Sequence, residues 1–128
     1  MKFLRKNGQV HADITQNEII VYRKNGDKKY RFVFDDQLDS AYYESWHKNN
    51  ISMLIGKYVA GLAEGTFYLY DDRGNLISSQ NYVDGLLDGN SSDYVDGHLR
   101  ASRRYYQGIL HDWSFVWDEK CELILMVN

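Results

Sequence analysis

The sequence predicts an all-β fold, a single elongated antiparallel meander of stacked hairpin repeats of about 24 residues, and three observations carry that expectation. Tyr22, Trp46, Tyr70, Tyr94 and Trp117 recur at steps of 24 residues, with a last step of 23. Two more columns keep the same beat: Val10, Phe34, Tyr58, Tyr82 and Tyr105, and Ile14, Leu38, Leu62, Leu86 and Ile109. Between glycine-bearing turns the side chains alternate, as in Trp113-Ser-Phe115-Val-Trp117 and Leu99-Arg-Ala101-Ser-Arg103, which is the period of a strand rather than a helix. The chain also has no proline, a residue that would remove ladder hydrogen bonds throughout such a sheet.

Along the chain, residues 1–57 hold degenerate copies in which the aromatic and aliphatic columns persist while Gln37, Ala41 and Asn50 stand where glycines are expected. Residues 58–128 hold the well-matched copies, with Gly61, Gly85 and Gly108 at one turn and Gly74 and Gly97 at the other. The dropped residue falls between Tyr94 and Leu99, where four residues separate the pair against five between Tyr70 and Leu76. Turns about every twelve residues give about eleven strands, and at ~4.8 Å per strand a sheet nearly 50 Å long. The last strand, Leu123 to Val127, is wholly apolar.

The alternation assigns two faces. The ladder Tyr22, Trp46, Tyr70, Tyr94 and Trp117 is expected to line one face as a thin aromatic core. The opposite face then receives Ile19, Val21, Val33, Tyr43, Met53, Ile55, Phe67 and Leu69 from the early copies, and Ser91, Asp93, Arg100, Ser102 and Arg104 from the fourth. An apolar patch on the uncovered side of a single sheet calls for cover, by curvature, self-association or a partner. Tyr43, Met53, Ile55, Phe67 and Leu69 are therefore the candidate partner-binding surface, with the acidic turns Asp71, Asp72, Asp118 and Glu119 orienting the partner.

Composition excludes more than it assigns. A net charge of -3 with scattered basic residues gives no nucleic-acid footprint. No run approaches the roughly 20 apolar residues of a membrane span, and no secretory leader is visible behind Met1, so a cytoplasmic location is expected. The basic clusters Lys28, Lys29 and Arg31, and Arg103 with Arg104, are the sole support for contact with an acidic membrane. Metal and hydrolase motifs are absent. Among the histidines, His111 shares a column with Glu64 and Asp88, but neighbours in a column lie about 10 Å apart, too far to share a metal ion. Cys121 reads as a turn thiol, with His98 one hairpin away and one residue out of register. No catalytic, cofactor-binding or metal-ligating residue is expected, and no enzymatic activity.

Tyr58-Val-Ala-Gly-Leu-Ala-Glu-Gly65, Tyr82-Val-Asp-Gly-Leu-Leu-Asp-Gly89 and Tyr105-Tyr-Gln-Gly-Ile-Leu-His-Asp112 resemble the MORN (membrane occupation and recognition nexus) repeats, most closely their bacterial variant. The resemblance covers Tyr58 to Leu123 and implies a scaffold that binds another protein, such as a toxin or effector, in the manner of an antitoxin or immunity component. It also implies, less directly, a membrane-peripheral lipid-binding module. The apolar final strand adds a third expectation, pairing of two copies through the C-terminal edge.

Overall fold

The computed structural model describes residues 1–127 as one open antiparallel sheet, with no helix among them; Asn128, the last residue of the domain read from the sequence, lies outside. Its strands are β1 (Lys2–Leu4), β2 (Val10–Ile14), β3 (Glu18–Tyr22), β4 (Lys28–Phe34), β5 (Ser40–Trp46), β6 (Ser52–Val59), β7 (Leu62–Ala63), β8 (Gly65–Tyr70), β9 (Leu76–Val83), β10 (Leu86–Val95), β11 (His98–Tyr106), β12 (Ile109–Trp117) and β13 (Leu123–Val127). Each pairs with its neighbours in chain order, and the short β7 shares the edge of β6 with β8. The thirteen strands exceed the expected eleven because β1 adds a short strand and the chain breaks at Glu64, dividing β7 from β8.

Two kinds of turn alternate. On one rim Ala60-Gly61, Asp84-Gly85 and Gln107-Gly108 form tight turns with positive φ at both central residues, while the Asp35–Ser40 turn on that rim is longer, with Leu38 left-handed. On the other rim most turns are longer, closed as in Gly74 N–H to Asp71 O (3.1 Å) and Asp71 N–H to Asn75 O (2.8 Å), with one left-handed residue each: Gly8, Gly26, Asn50, Gly74 or Cys121. The exception is Asp96-Gly97 (φ 52° and 77°), a tight turn in the longer turn's place. This accounts for the dropped residue, because the mirror-image turn needs one residue fewer and glycine reaches its second position without strain.

The aromatic ladder occupies one structural position. Tyr22, Trp46, Tyr70 and Trp117 each end a strand and Tyr94 is the last but one of β10, all five opposite a register shift that adds a residue to the returning strand. They therefore share a face, but they do not form the core. All five are half-buried, and the close ring pairs lie elsewhere, the stacked Phe115 and Trp117 (5.8 Å) excepted. Lys28 sits 5.8 Å from the centre of the Trp46 ring, a cation–π contact on that face.

The repeats are stapled to one another at both rims. The guanidinium of Arg5 donates to Tyr22 O (2.9 Å), that of Arg23 to Trp46 O (2.8 Å), and His47 Nε2 to Tyr70 O (2.8 Å), so one hairpin satisfies a carbonyl of the next. On the opposite rim the acidic residue of each Tyr-x-x-Gly-x-x-acid unit does the equivalent. Glu64 accepts from Asp84 N–H (2.9 Å) and Asp88 from Gln107 N–H (3.2 Å).

Candidate functional site: an aromatic sheet face

Directly paired residues share a face, so one row can be followed across the sheet: Ile19, Phe32, Tyr43, Gly56, Phe67, Gln80, Ser91 and Arg103. A parallel row carries Val21, Tyr30, Ser45, Leu54, Leu69, Ser78, Asp93 and Ala101. Both rows are largely apolar as far as β8 and polar beyond it. This face, opposite the ladder, holds the aromatic core of the sheet.

The core is a connected train of rings. Phe32 and Tyr43 lie 4.9 Å apart, Tyr43 and Tyr58 6.1 Å, Tyr58 and Phe67 5.4 Å, and Phe67 and Tyr82 5.2 Å, the last three edge to face. Phe67 is the best covered, at 7% exposed. Its ring lies directly over Gly56, where a Cβ would come within 2.2 Å of it, so glycine is required there by close approach. Burial, with help from Tyr43 and Tyr82, pushes the Tyr58 phenol above its ordinary value. Tyr30, Phe32, Phe34, Tyr43, Tyr58 and Tyr82 remain half-buried, since no second layer covers them.

Of the five candidate partner-binding residues, Tyr43, Phe67 and Leu69 are brought together on this face. Ile55 pairs with Glu44 and Tyr68 and points to the other side, as does Val33 opposite Glu18 and Tyr42. Met53 is the extra residue of the shift opposite Trp46. The correction has one cause: the added residue beside each ladder position inverts the alternation of the returning strand. Tyr30, Phe32, Leu54 and Gly56 thus occupy the face assigned from sequence to Val33, Met53 and Ile55, and Ala101 and Arg103 replace Arg100, Ser102 and Arg104 there. Tyr30, Phe32 and Gly56 escaped the sequence reading; a shift of parity beside every ladder position was the available signal.

At the rim of β4, β5 and β6 the face opens into a hollow of about 500 Å³ lined by Ile19, Phe32, Phe34, Leu38, Tyr58 and Ala60, with Asp39 and Ser40 at one side. Asp35 accepts from the backbone of Asp39 (3.1 Å) and Ser40 (3.4 Å). Its hydrogen bond with the Asp39 carboxyl holds Asp35 below the usual carboxylate value and raises Asp39.

The remaining candidates are engaged locally. Asp71 accepts from the backbone of Arg73 and Asn75 (both 2.9 Å), which holds its carboxyl low, and Asp118 accepts from Lys120 (2.8 Å) and Glu122 (2.9 Å). Asp72 and Glu119 are exposed. Arg31 lies 3.7 Å from both Glu18 and Glu44, Arg103 2.8 Å from Asp93, and Arg104 3.9 Å from Asp112, so most of the cationic charge counted towards a membrane surface faces acids. Cys121 and His98 come closer than their register suggested, Sγ 3.7 Å from Nδ1, on an exposed turn. No cluster of three metal-ligating side chains occurs among the described residues, and no helix there is long and apolar enough to cross a membrane. No protein-family model matches the chain, and no curated protein matches it.

Proposed function

We propose that the protein is a non-enzymatic repeat scaffold that binds another protein on its aromatic face, acting by occlusion in the manner of an antitoxin or immunity component. The observation that supports this is the half-buried ring train from Tyr30 to Tyr82 on a sheet with no second layer. Anchors of this kind, aromatic and already rigid, dominate protein interfaces at low entropic cost. Capture of a partner from the native host, followed by hydroxyl-radical footprinting, tests it. Protection of Tyr30, Phe32, Tyr43 and Tyr58 is expected, whereas protection confined to Tyr42 and Tyr68 on the opposite face would overturn it.

A second contact is favoured by β13. Its outer edge has no strand beside it among the described residues, and Leu123, Ile124, Leu125 and Met126 are 49–62% exposed. The N-terminal segment cannot cover it, because β1 forms the opposite end of the sheet, where the Met1 amine donates to Ile14 O. Two copies pairing β13 with β13 would close the edge symmetrically. Five residues make a small interface, so the association is weak. Light scattering across a concentration series should show a dimer that Leu125→Lys abolishes; a monomer throughout would remove this contact.

A further inference from the structure

We infer that the hollow beneath the Leu38 and Ala60 turns docks an apolar side chain of a partner segment flanked by lysine or arginine. The inference rests on the aromatic face being a protein-binding surface and specifies the chemistry of what enters it. Three independent observations converge. The hollow is walled by Ile19, Phe32, Phe34 and Tyr58, which offers rings and aliphatic carbon to an entering side chain. Its volume of about 500 Å³ has room for more than one large side chain.

The second observation is strain. Leu38 holds φ at 61° and is 57% exposed, and Ala60, hydrogen-bonded through its N–H to Asp39 O at 2.7 Å, holds φ at 50°. A bulky side chain in the left-handed region is disfavoured, and the fold gains little from a leucine whose side chain is open to water. Elsewhere a glycine, Asn50 or the small Cys121 takes the left-handed place in longer turns, while Asp84 and Gln107 stand where Ala60 does. Apolar crowns on both turns occur at the hollow and extend its wall outward, as a contact surface would require.

The third is charge. Asp35, Asp36 and Asp39 lie on the turn beside the hollow, and Asp39 lines it. The backbone amides of Asp39 and Ser40 occupy Asp35, while Asp36 meets the side-chain amide of Asn17 at 3.4 Å. An apolar pocket with an acidic lip selects a cation beside the buried group and rejects an anion. Aromatic walls also accept the stem of a lysine or the plane of an arginine.

The test uses two short peptides with the same Leu-Phe core, one flanked by lysines and the other by glutamates, titrated into the 15N-labelled full chain. The lysine peptide should shift the amides of Phe32, Phe34, Leu38 and Tyr58 and bind at least about tenfold more tightly, an advantage that salt diminishes. Leu38→Gly should weaken that binding by about fivefold or more without lowering thermal stability, since glycine relieves the backbone. Asp36→Asn with Asp39→Asn should erase the discrimination between peptides. Equal binding of both peptides would overturn the charge preference, and no perturbation at the hollow would overturn the docking site. Loss of stability in Leu38→Gly would make Leu38 a folding residue. These outcomes leave the wider reading to be judged separately by the footprint of a captured partner.

Discussion

The same face of one sheet is built in two ways. From β3 to β8 it carries Val21, Tyr30, Phe32, Tyr43, Leu54 and Phe67; from β9 to β11 the equivalent positions carry Ser78, Gln80, Ser91, Asp93 and Arg103. Strand pairs with strand through both stretches, so aromatic packing is not needed to make a strand in this array. The polar stretch satisfies itself instead: Arg103 reaches Asp93 at 2.8 Å, Tyr82 donates to Gln80 at 2.8 Å, and Ser91 is only 4% exposed. The difference shows that repeat geometry and repeat chemistry are separable. Turns, shifts and rim staples propagate the sheet, while the face is free to be aromatic in one stretch and polar in the next.

The largest test of this separation is at Phe67. Phe67→Ala should destabilise the chain by about 3–5 kcal/mol, because it empties the best-buried ring site and uncovers Gly56. Gly56→Ala should cost about 1–3 kcal/mol by driving a methyl group into the same ring. Both are measured by urea denaturation, and a Phe67→Ala loss below that of Asp93→Ala would mean the aromatic stretch is not the more stabilising half. The Asp93–Arg103 pair is itself partly exposed, at 43% and 37%, so Asp93→Ala should cost only about 0–1 kcal/mol.

Alkali separates the stretches by a different route. The Tyr58 phenol is raised above its ordinary value of 10.0, so the folded state favours the neutral ring more than the unfolded chain does. That contribution is complete below pH 10.0 and is lost as pH rises towards the folded value, because the unfolded chain gives up its proton first. Tyr58→Phe should flatten this alkaline loss of stability in denaturation curves taken across that range. An unchanged profile would assign the loss to other groups.

The ladder shows how much of this was legible in the sequence and where legibility stopped. The spacing of Tyr22, Trp46, Tyr70, Tyr94 and Trp117 located the hairpins from β3 onward, and the short Tyr94 to Leu99 interval located the single altered turn. Parity failed on the returning strands, since a one-residue shift leaves no mark in composition and inverts every side chain after it. Hence Tyr43, Phe67 and Leu69 were placed correctly and Ile55 was not. Gly56 was invisible for another reason: its role is set by a ring on the next strand, not by its own turn. The ladder's consequence is quantitative as well. Trp46→Ala should cost about 1–2 kcal/mol, less than Phe67→Ala, because its half-buried ring loses less area. Equal losses would return the ladder to the core.

The smallest expected effect compares three residues of one column. Glu64 accepts the Asp84 amide and Asp88 the Gln107 amide, each tying its hairpin to the next, while His111 occupies the same place in the following repeat. The ring of His111 lies 3.4 Å from Asp112 and is 65% exposed, and its side chain makes no hydrogen bond to a following turn among the described residues. Removing the clamp should therefore matter where it spans two hairpins and not where it does not. Glu64→Ala and Asp88→Ala should each lower stability by about 1 kcal/mol, the ordinary scale of one hydrogen bond. His111→Ala should change it by less than about 0.5 kcal/mol, as exposed substitutions usually do. Parallel urea curves read all three, and a His111→Ala loss matching the other two would show that His111 performs work the clamp does not explain.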